Sequence, residues 1–368
     1  MGVQRLGYNE SLQVSEAEEL LLNLVRLRYQ DTPEFLAVSA ISSQLSFRAG
    51  ASVGGDFGNV EESTSAFVAP NITGELSESP TVTLVPRRDE KFSRQLISPI
   101  PIDSITLLAF NSWGIDRLML MFAETINGLD GRNSFTTGSA GADASVFLAL
   151  LDSLKAGEER GAISFSLERR RSPIVELELE ATRALETLAA AKSSGFAFEA
   201  SDDAVSLFDE SAVIILQMSD EFLRTRAYDD LVSILRLKPG ARKVDITRGP
   251  MPGEQGDGRI HIVPRSPAGV LAVLATAVEA PDEHLPTFGL SPNATASSPV
   301  RRLLHVRAAA ERPGDAWLTV PYRGYYFYLA NDDVSSRQTL SVAGAFMNLT
   351  LSRGDASAVP VVTLPVGR

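Results

Sequence analysis

Two stretches near the N-terminus alternate apolar and polar residues with a period of two, and this alternation constrains the fold more than any other feature of the chain. The stretches extend from Ile41 to Val53 and from Ile72 to Leu84. Their apolar positions are Leu45, Phe47, Ala49, Ala51 and Val53 in the first stretch, and Ile72, Leu76, Val82 and Leu84 in the second. Successive side chains of a strand point to opposite faces, so this period is typical of a strand with one apolar and one polar face. The pattern predicts an extended antiparallel hairpin over residues 41–85.

The predicted hairpin has two alternative uses. Each arm has about a dozen residues, and a tilted strand that spans a bilayer needs roughly 9 to 11. Because open strand edges leave backbone groups unpaired in lipid, membrane insertion would require several subunits that each contribute a hairpin. Glu78 falls on the apolar face and Pro80 lacks an amide donor. Both residues favour instead a hairpin that is half-buried on its own domain or docked on a partner.

Composition excludes several classes of protein. The chain has 368 residues, of which 44% are hydrophobic and 22% are charged, as in proteins that fold around a core. Lys and Arg total 34 against 46 Asp and Glu, so the formal net charge is −12. Such a chain repels a phosphate backbone, and we therefore expect no nucleic-acid partner.

Helical and strand patterns are mixed along the rest of the chain, which predicts the α+β class with mixed α/β units. Apolar residues at helical spacing between Leu20 and Leu27 predict an amphipathic N-terminal helix. Two alternating runs on either side of the residues Arg170–Pro173 predict a second hairpin with its turn there. An apolar helix is expected to end at Gly157.

The chain divides into three predicted domains. The first, residues 1–160, contains the N-terminal helix, the long hairpin and an α/β segment. The second, residues 161–248, is an α/β segment with the second hairpin. The third, residues 259–368, is a C-terminal α/β unit in which helices cover three paired strands. Around its turn at Arg323-Gly324, the aromatic residues from Tyr322 to Tyr328 are expected to form cross-strand pairs rather than a surface for ligand stacking.

No pattern in the sequence carries a recognisable chemistry. The chain has no cysteine and three histidines, so disulfides and thiolate metal sites are excluded. His261 and His305 lie in predicted strands without a second ligand at a suitable spacing. Adjacent acids such as Glu158 and Glu159 are better explained as helix caps and solvated turns, because neighbouring carboxylates usually point apart. We therefore predict no catalytic residue, no cofactor and no metal ion.

Three segments resemble a family of predicted bacterial cell-envelope lipoproteins for which no activity is known. They are residues 20–29 (LLLNLVRLRY), residues 79–101 with the pieces PTVTLVP and ISPIP followed by Trp113-Gly114, and residues 322–329 (YRGYYFYL) with the closing TLPVG at 363–367. The resemblance implies a location in the cell envelope, at the outer membrane or in the periplasm, and nothing catalytic. Members typically begin with a signal peptide and a lipid-anchored cysteine, and neither pattern occurs in the given sequence.

The resulting interpretation is a non-enzymatic envelope protein that forms homo-oligomers and associates with a membrane or an envelope protein through the 41–85 hairpin. The alternative is a hydrolase or carbohydrate-active enzyme that uses carboxylates of the loops at Asp130–Asp143 or Asp202–Asp209. A pocket with two converging carboxylates of raised pKa would favour the enzyme.

Overall fold

The computed structural model describes residues 2–53, 70–102, 104–105, 113–131, 142–177, 197–200, 205–253 and 256–351. The described residues form two compact units, a smaller one within residues 34–89 and a larger one that comprises residues 2–33 and those from 90 onward. The helices are α1 (Gly2–Arg28), α2 (Glu90–Ile97), α3 (Ile115–Phe122), α4 (Ala142–Glu159), α5 (Arg226–Leu235), α6 (Pro267–Ala275), α7 (His284–Thr287) and α8 (Val334–Leu351). The strands are β1 (Leu36–Val53), β2 (Pro70–Pro86), β3 (Ala123–Ile126), β4 (Leu129–Asp130), β5 (Ile163–Leu177), β6 (Ala197–Ala200), β7 (Val205–Met218), β8 (Lys243–Arg248), β9 (Ile260–Pro264), β10 (Arg307–Ala309), β11 (Ala316–Tyr322) and β12 (Tyr325–Ala330). The predicted α+β class is confirmed.

The smaller unit is the predicted long hairpin. β1 and β2 pair antiparallel from Leu36 opposite Pro86 to Val53 opposite Pro70, so both arms are longer than the alternation alone indicated. At the base, the backbone amide of Arg87 donates to the carbonyl of Phe35 at 2.9 Å. Together β1 and β2 form a sheet of two strands.

The larger unit is built on a mixed sheet with the strand order β4-β3-β9-β8-β7-β5, and β6 also pairs with β7. Only β8 and β9 are parallel neighbours among these described strands. This sheet takes strands from all three predicted domains, whose boundaries stay a prediction. A second, antiparallel sheet has the order β10-β12-β11.

The second predicted hairpin is wrong, because β5 continues through the residues that were expected to turn. β5 pairs with β7 along its length, and a register shift between Pro173 and Val175 accommodates the proline, which has no amide to donate. The three consecutive arginines from Arg169 to Arg171 lie in β5 and not in a loop. Arg170 instead forms an ion pair with Asp245 of β8, and one of its two contacts with that carboxylate is 2.8 Å long.

A buried asparagine connects the sheet to its surroundings. Asn127 and Gly128 have positive φ angles of 47° and 80°, which suit the two-residue turn between β3 and β4. The side-chain amide of Asn127 donates to the carbonyls of Leu235 (2.7 Å) and Arg259 (3.1 Å). Its Oδ1 accepts the backbone N–H of His261 at 2.6 Å. One side chain thus satisfies three backbone groups of neighbouring segments.

Helix α6 lies at the centre of the core of the larger unit. Ser266 caps it by accepting the amide of Gly269 at 3.1 Å, and Pro267 occupies its first turn, where a missing amide costs nothing. The helix contains no charged residue and contacts α1, α2 and α3. Its buried residues include Val270, Leu271 and Leu274.

The apolar stripe predicted for the N-terminal helix is confirmed. Leu20, Leu21, Leu24 and Val25 of α1 are buried, and the helix packs against α6, α8 and β11. Arg28, at the end of α1, is partly buried and donates from Nε to the carbonyl of Val278 at 3.0 Å. Its burial lowers its pKa.

The ring of Tyr29 is the centre of an aromatic cluster beyond the end of α1. Its centroid lies 5.5 Å from those of Phe288 and Tyr322 and 6.0 Å from that of Phe327. Its hydroxyl is 2.6 Å from Nδ1 of His284. Burial raises the pKa of Tyr29 to about 12.

Arg323 closes this cluster from the turn between β11 and β12. Its guanidinium lies 4.5 Å from the ring centroid of Phe288 and donates to Asp31 at 2.9 Å. Arg323 and Gly324 have φ angles of 48° and 84°, as a two-residue hairpin turn requires. The turn places Tyr322 opposite Tyr325, as the sequence predicted.

No helix among the described residues combines the length and the apolar character that crossing a bilayer demands.

We predict that Phe346→Ala lowers the free energy of unfolding of the larger unit by about 3 to 5 kcal/mol, because a fully buried ring would be replaced by a cavity. Phe346 is 0% exposed and its ring centroid lies 4.7 Å from that of Phe122. Urea denaturation measures the loss. Tyr326→Ser, at a half-buried position of β12, is the control and should cost less. Equal losses in the two variants would contradict the central position of Phe346.

We predict that Asn127→Asp destabilises the larger unit by about 2 to 5 kcal/mol, since a buried carboxylate cannot donate to the two carbonyls that Asn127 binds. The matched control is Asn331→Asp, at an exposed turn position, which should be nearly neutral. Thermal and urea unfolding of both variants provide the comparison. An Asn127→Asp variant with wild-type stability would refute the proposed role of the amide.

Candidate functional site

A cleft of about 1130 Å³ opens in the larger unit between the start of α3, the end of α4, the start of β5 and helix α8. Its lining includes Trp113, which lies two residues before the start of α3, and Trp317 of β11. The chain contains two tryptophans in all, so both of them line this one cleft. Trp317 is 37% exposed, and the neighbouring cleft residue Val334 is 51% exposed. Large apolar side chains left accessible in a concave site are typical of ligand pockets.

Two glycines position the acidic wall of the cleft. The helix was expected to end at Gly157, but α4 continues to Glu159. Gly157 serves close packing instead, because a Cβ there would lie 2.2 Å from Cδ1 of Ile163. Gly161, two residues after the end of α4, terminates the helix. It has a φ of 63° and donates its amide to the carbonyl of Glu158 at 2.8 Å. The amide of Ala162 donates to the carbonyl of Gly157 at 2.9 Å, which completes a Schellman cap.

Glu158 projects from this cap to the beginning of α3. Its Oε2 accepts the backbone N–H of Ile115, the first residue of α3, at 2.8 Å. Glu158 thus caps a helix other than its own, which the sequence did not indicate. Burial is the main cause that raises its pKa, and the nearby charges of Asp116 and Glu159 act in the same direction.

The remaining charged groups of the cleft balance its acids. Lys155 lies 3.8 Å from Oδ2 of Asp116 and 4.0 Å from Oε1 of Glu159. Arg117 donates to Oε1 of Gln338 at 2.8 Å. Among the described residues, three acids and three bases line the cleft, which are Asp116, Glu158, Glu159, Arg117, Lys155 and Arg337.

Arg337, on α8, differs from the other bases. Its Nε is sealed from solvent and finds no acceptor, and its guanidinium forms no ion pair with any residue that the structure describes. Buried donors in folded proteins are nearly always paired. This guanidinium is thus under-satisfied in the wall of the cleft.

The histidines singled out in the sequence have local partners. Nε2 of His261 lies 2.9 Å from Oδ1 of Asp257, and Nε2 of His305 lies 2.7 Å from Oε1 of Glu279. Glu279 also accepts from Arg301 at 2.9 Å. Within the described part of the chain, no three histidines or acids gather as a metal ion would require.

The structure places the hairpin residues singled out in the sequence opposite one another in the register. Phe47 lies opposite Leu76, and Ala51 opposite Ile72. The remaining pairs are Leu45 with Glu78, Ala49 with Gly74, Val53 with Pro70, Ile41 with Val82, and Val38 with Leu84. The register thus pairs mostly apolar positions with apolar positions, and Glu78 interrupts them as the sequence indicated.

Asp130, one of the loop acids of the enzymatic alternative, lies in β4 and is not part of this cleft. The backbone of Asp143 lies in α4 and that of Asp209 in β7. Asp202 lies outside the described residues. The sequence analysis interpreted Glu158 and Glu159 as caps and solvated turns, and it did not connect them with Asp116, which comes from a separate helix. The one feature of the sequence that could have indicated the cleft is that the chain contains two tryptophans.

No protein-family model, no curated protein and no solved structure matches this chain. The resemblance to predicted envelope lipoproteins stays an expectation, and the functional argument depends on the hairpin and the cleft.

We predict that Glu158→Gln becomes progressively more stable relative to the wild type as the pH rises above the ordinary glutamate pKa of 4.5. A raised pKa in the folded state means that folding favours the protonated form, so the wild type loses stability as the pH rises through that window. Glutamine keeps an oxygen for the amide of Ile115 and carries no charge. Urea unfolding at a series of pH values measures the difference.

The control for Glu158→Gln is Glu159→Gln, which removes a carboxylate from the exposed position next to it. A pH-dependent difference of the same sign and size in this control would contradict the assignment to Glu158.

Proposed function

We propose that this protein is a non-enzymatic component of the cell envelope that assembles into homo-oligomers and associates with a membrane through the β1–β2 hairpin. The observation that carries the proposal is a two-stranded sheet that forms a compact unit of its own. An isolated two-stranded hairpin is marginally stable in water, and further strands or a packed partner are needed to stabilise it.

The outer edges of the hairpin supply a means of assembly. Among the described strands, β1 and β2 pair only with each other. Unpaired strand edges are templates for pairing with another chain, and identical hairpins from other copies carry matching edges. Pairing copy to copy would extend the sheet and satisfy the backbone groups that lipid cannot satisfy.

The length and register of the hairpin support membrane association. β1 has 18 residues and β2 has 17, which exceeds the roughly 9 to 11 residues of a tilted spanning strand. At the base of the hairpin, Leu36 and Val85 are 38% and 47% exposed. The envelope location is supported only by the resemblance of three sequence segments. Docking on another envelope protein is the alternative use of the same hairpin.

The enzymatic alternative has less support. Asp130, the named loop acid whose side chain the structure describes, lies outside the cleft, and the acid in the cleft with a raised pKa already caps a helix.

The proposal predicts that Phe47→Lys and Val53→Lys weaken bilayer association or oligomerisation. A lipid-facing cation on a spanning strand costs about 2 to 4 kcal/mol near the bilayer midplane. Matched controls are Ser46→Lys and Ser52→Lys, which add the same charge at the alternate positions of β1. Flotation of the full chain with phosphatidylethanolamine and phosphatidylglycerol vesicles, together with mass photometry, measures both properties.

The hairpin proposal has clear failing outcomes. A wild-type protein that neither floats with vesicles nor forms oligomers would contradict it. Equal loss in the control and test variants would show that β1 has no preferred face toward lipid.

A further inference from the structure

We propose that the cleft between α3, α4, β5 and α8 is a binding site for an uncharged oligosaccharide. This inference is independent of the hairpin, because every residue that carries it belongs to the larger unit. The argument combines the two tryptophans, the balance of charge in the lining and the unsatisfied hydrogen-bonding groups.

The tryptophans supply the apolar part of the site. Indole rings offer the largest flat apolar surface of any side chain, together with one N–H donor. Pyranose rings have flat faces of C–H groups that stack on such surfaces, and their edges carry hydroxyls. Both Trp113 and Trp317 line the same cleft, and at about 1130 Å³ it reaches beyond the usual range of roughly 300 to 1,000 Å³ for small-ligand pockets. The dimensions suit several linked rings rather than one.

The acids and bases of the cleft lining disfavour both anionic and cationic ligands. An anionic ligand would meet the carboxylates of Asp116, Glu158 and Glu159, and a cationic ligand would meet Arg117, Lys155 and Arg337. The described residues of the lining have a formal charge of zero, in a chain whose net charge is −12. An uncharged polar ligand faces neither penalty.

The hydrogen-bonding groups match hydroxyls. Glu158 is an acceptor with one known donor, the amide of Ile115. Arg337 has a planar guanidinium whose Nε finds no acceptor among the described residues. A hydroxyl both donates and accepts, so a ring with several hydroxyls satisfies the acid and the base together. Planar carboxylate, amide and guanidinium groups can each bind two neighbouring hydroxyls of one ring. In this cleft these groups are Glu158, Gln338 and Arg337.

The test uses the full chain and three tetrasaccharide classes of similar size. Chitotetraose and cellotetraose are uncharged, the fully deacetylated glucosamine tetramer is cationic, and tetragalacturonate is anionic. Because both tryptophans line the cleft, a saturable change in intrinsic fluorescence reports occupancy directly, and calorimetry gives the affinity. We expect at least one uncharged tetrasaccharide to bind and the two charged ones to bind more weakly.

Variants locate the binding site. Trp317→Ala should weaken binding by about tenfold or more, and Trp317→Phe should retain part of it. Arg337→Met, which keeps the length of the side chain without its donors, should also weaken binding, and it serves as the second test if a tryptophan variant folds poorly. Tyr326→Ala is the matched control, since it removes an aromatic ring outside the cleft lining and should leave the affinity unchanged.

Three outcomes would overturn the proposal. The first is that neither uncharged tetrasaccharide binds at millimolar concentration. The second is that a charged tetrasaccharide binds more tightly than both uncharged ones. The third is that folded Trp317→Ala and Arg337→Met variants bind as tightly as the wild type.

Discussion

The larger unit depends on the burial of most of α6, a helix that contains no polar residue. Val270, Leu271 and Leu274 are buried whereas Ala272 is exposed, and each fully buried Val or Leu side chain contributes about 1.5 to 3 kcal/mol relative to exposure. Its cover comes from α1, α2 and α3, which belong to distant parts of the chain. α3 in turn bears Phe122, which packs on Phe346 of α8. The two helices that flank the cleft are thus joined both by this core contact and in the lining itself, where Arg117 of α3 donates to Gln338 of α8.

Sequence periodicity is sufficient to predict a helix or strand that has one apolar face. The stripe of α1 and the alternation of the β1–β2 hairpin both predict the observed elements, because burial of one face is a local property of the pattern. Periodicity does not predict the structure where a residue is positioned by a partner far away in the sequence. The arginine-rich run in β5 has the composition of a turn, but it pairs with β7, and Arg170 binds Asp245 of β8, two strands away. Gly157 has the pattern of a helix end, and only the approach of Ile163 requires a glycine there.

The cleft could not be predicted from the sequence for the same reason. Trp113, Glu158 and Trp317 have no spacing in the sequence that links them, and each is brought to the cleft by a different element. The balance of charge that favours an uncharged ligand is likewise visible only in three dimensions, because the chain as a whole is strongly acidic. The hairpin, in contrast, is a local feature whose strands pair with near neighbours in the sequence.

The contacts between the end of α1 and the C-terminal third of the chain determine when α1 can be packed during synthesis of the protein. Arg28 binds the carbonyl of Val278, Tyr29 packs on Phe288 and Tyr322, and Asp31 receives Arg323. Helix α1 therefore has to wait for residues that emerge about 250 to 290 positions later, and its leucine stripe is uncovered meanwhile. At synthesis rates of about 5 to 20 residues per second, this exposure lasts roughly 10 to 60 seconds. During this interval the apolar stripe of α1 is open to chaperones and to aggregation.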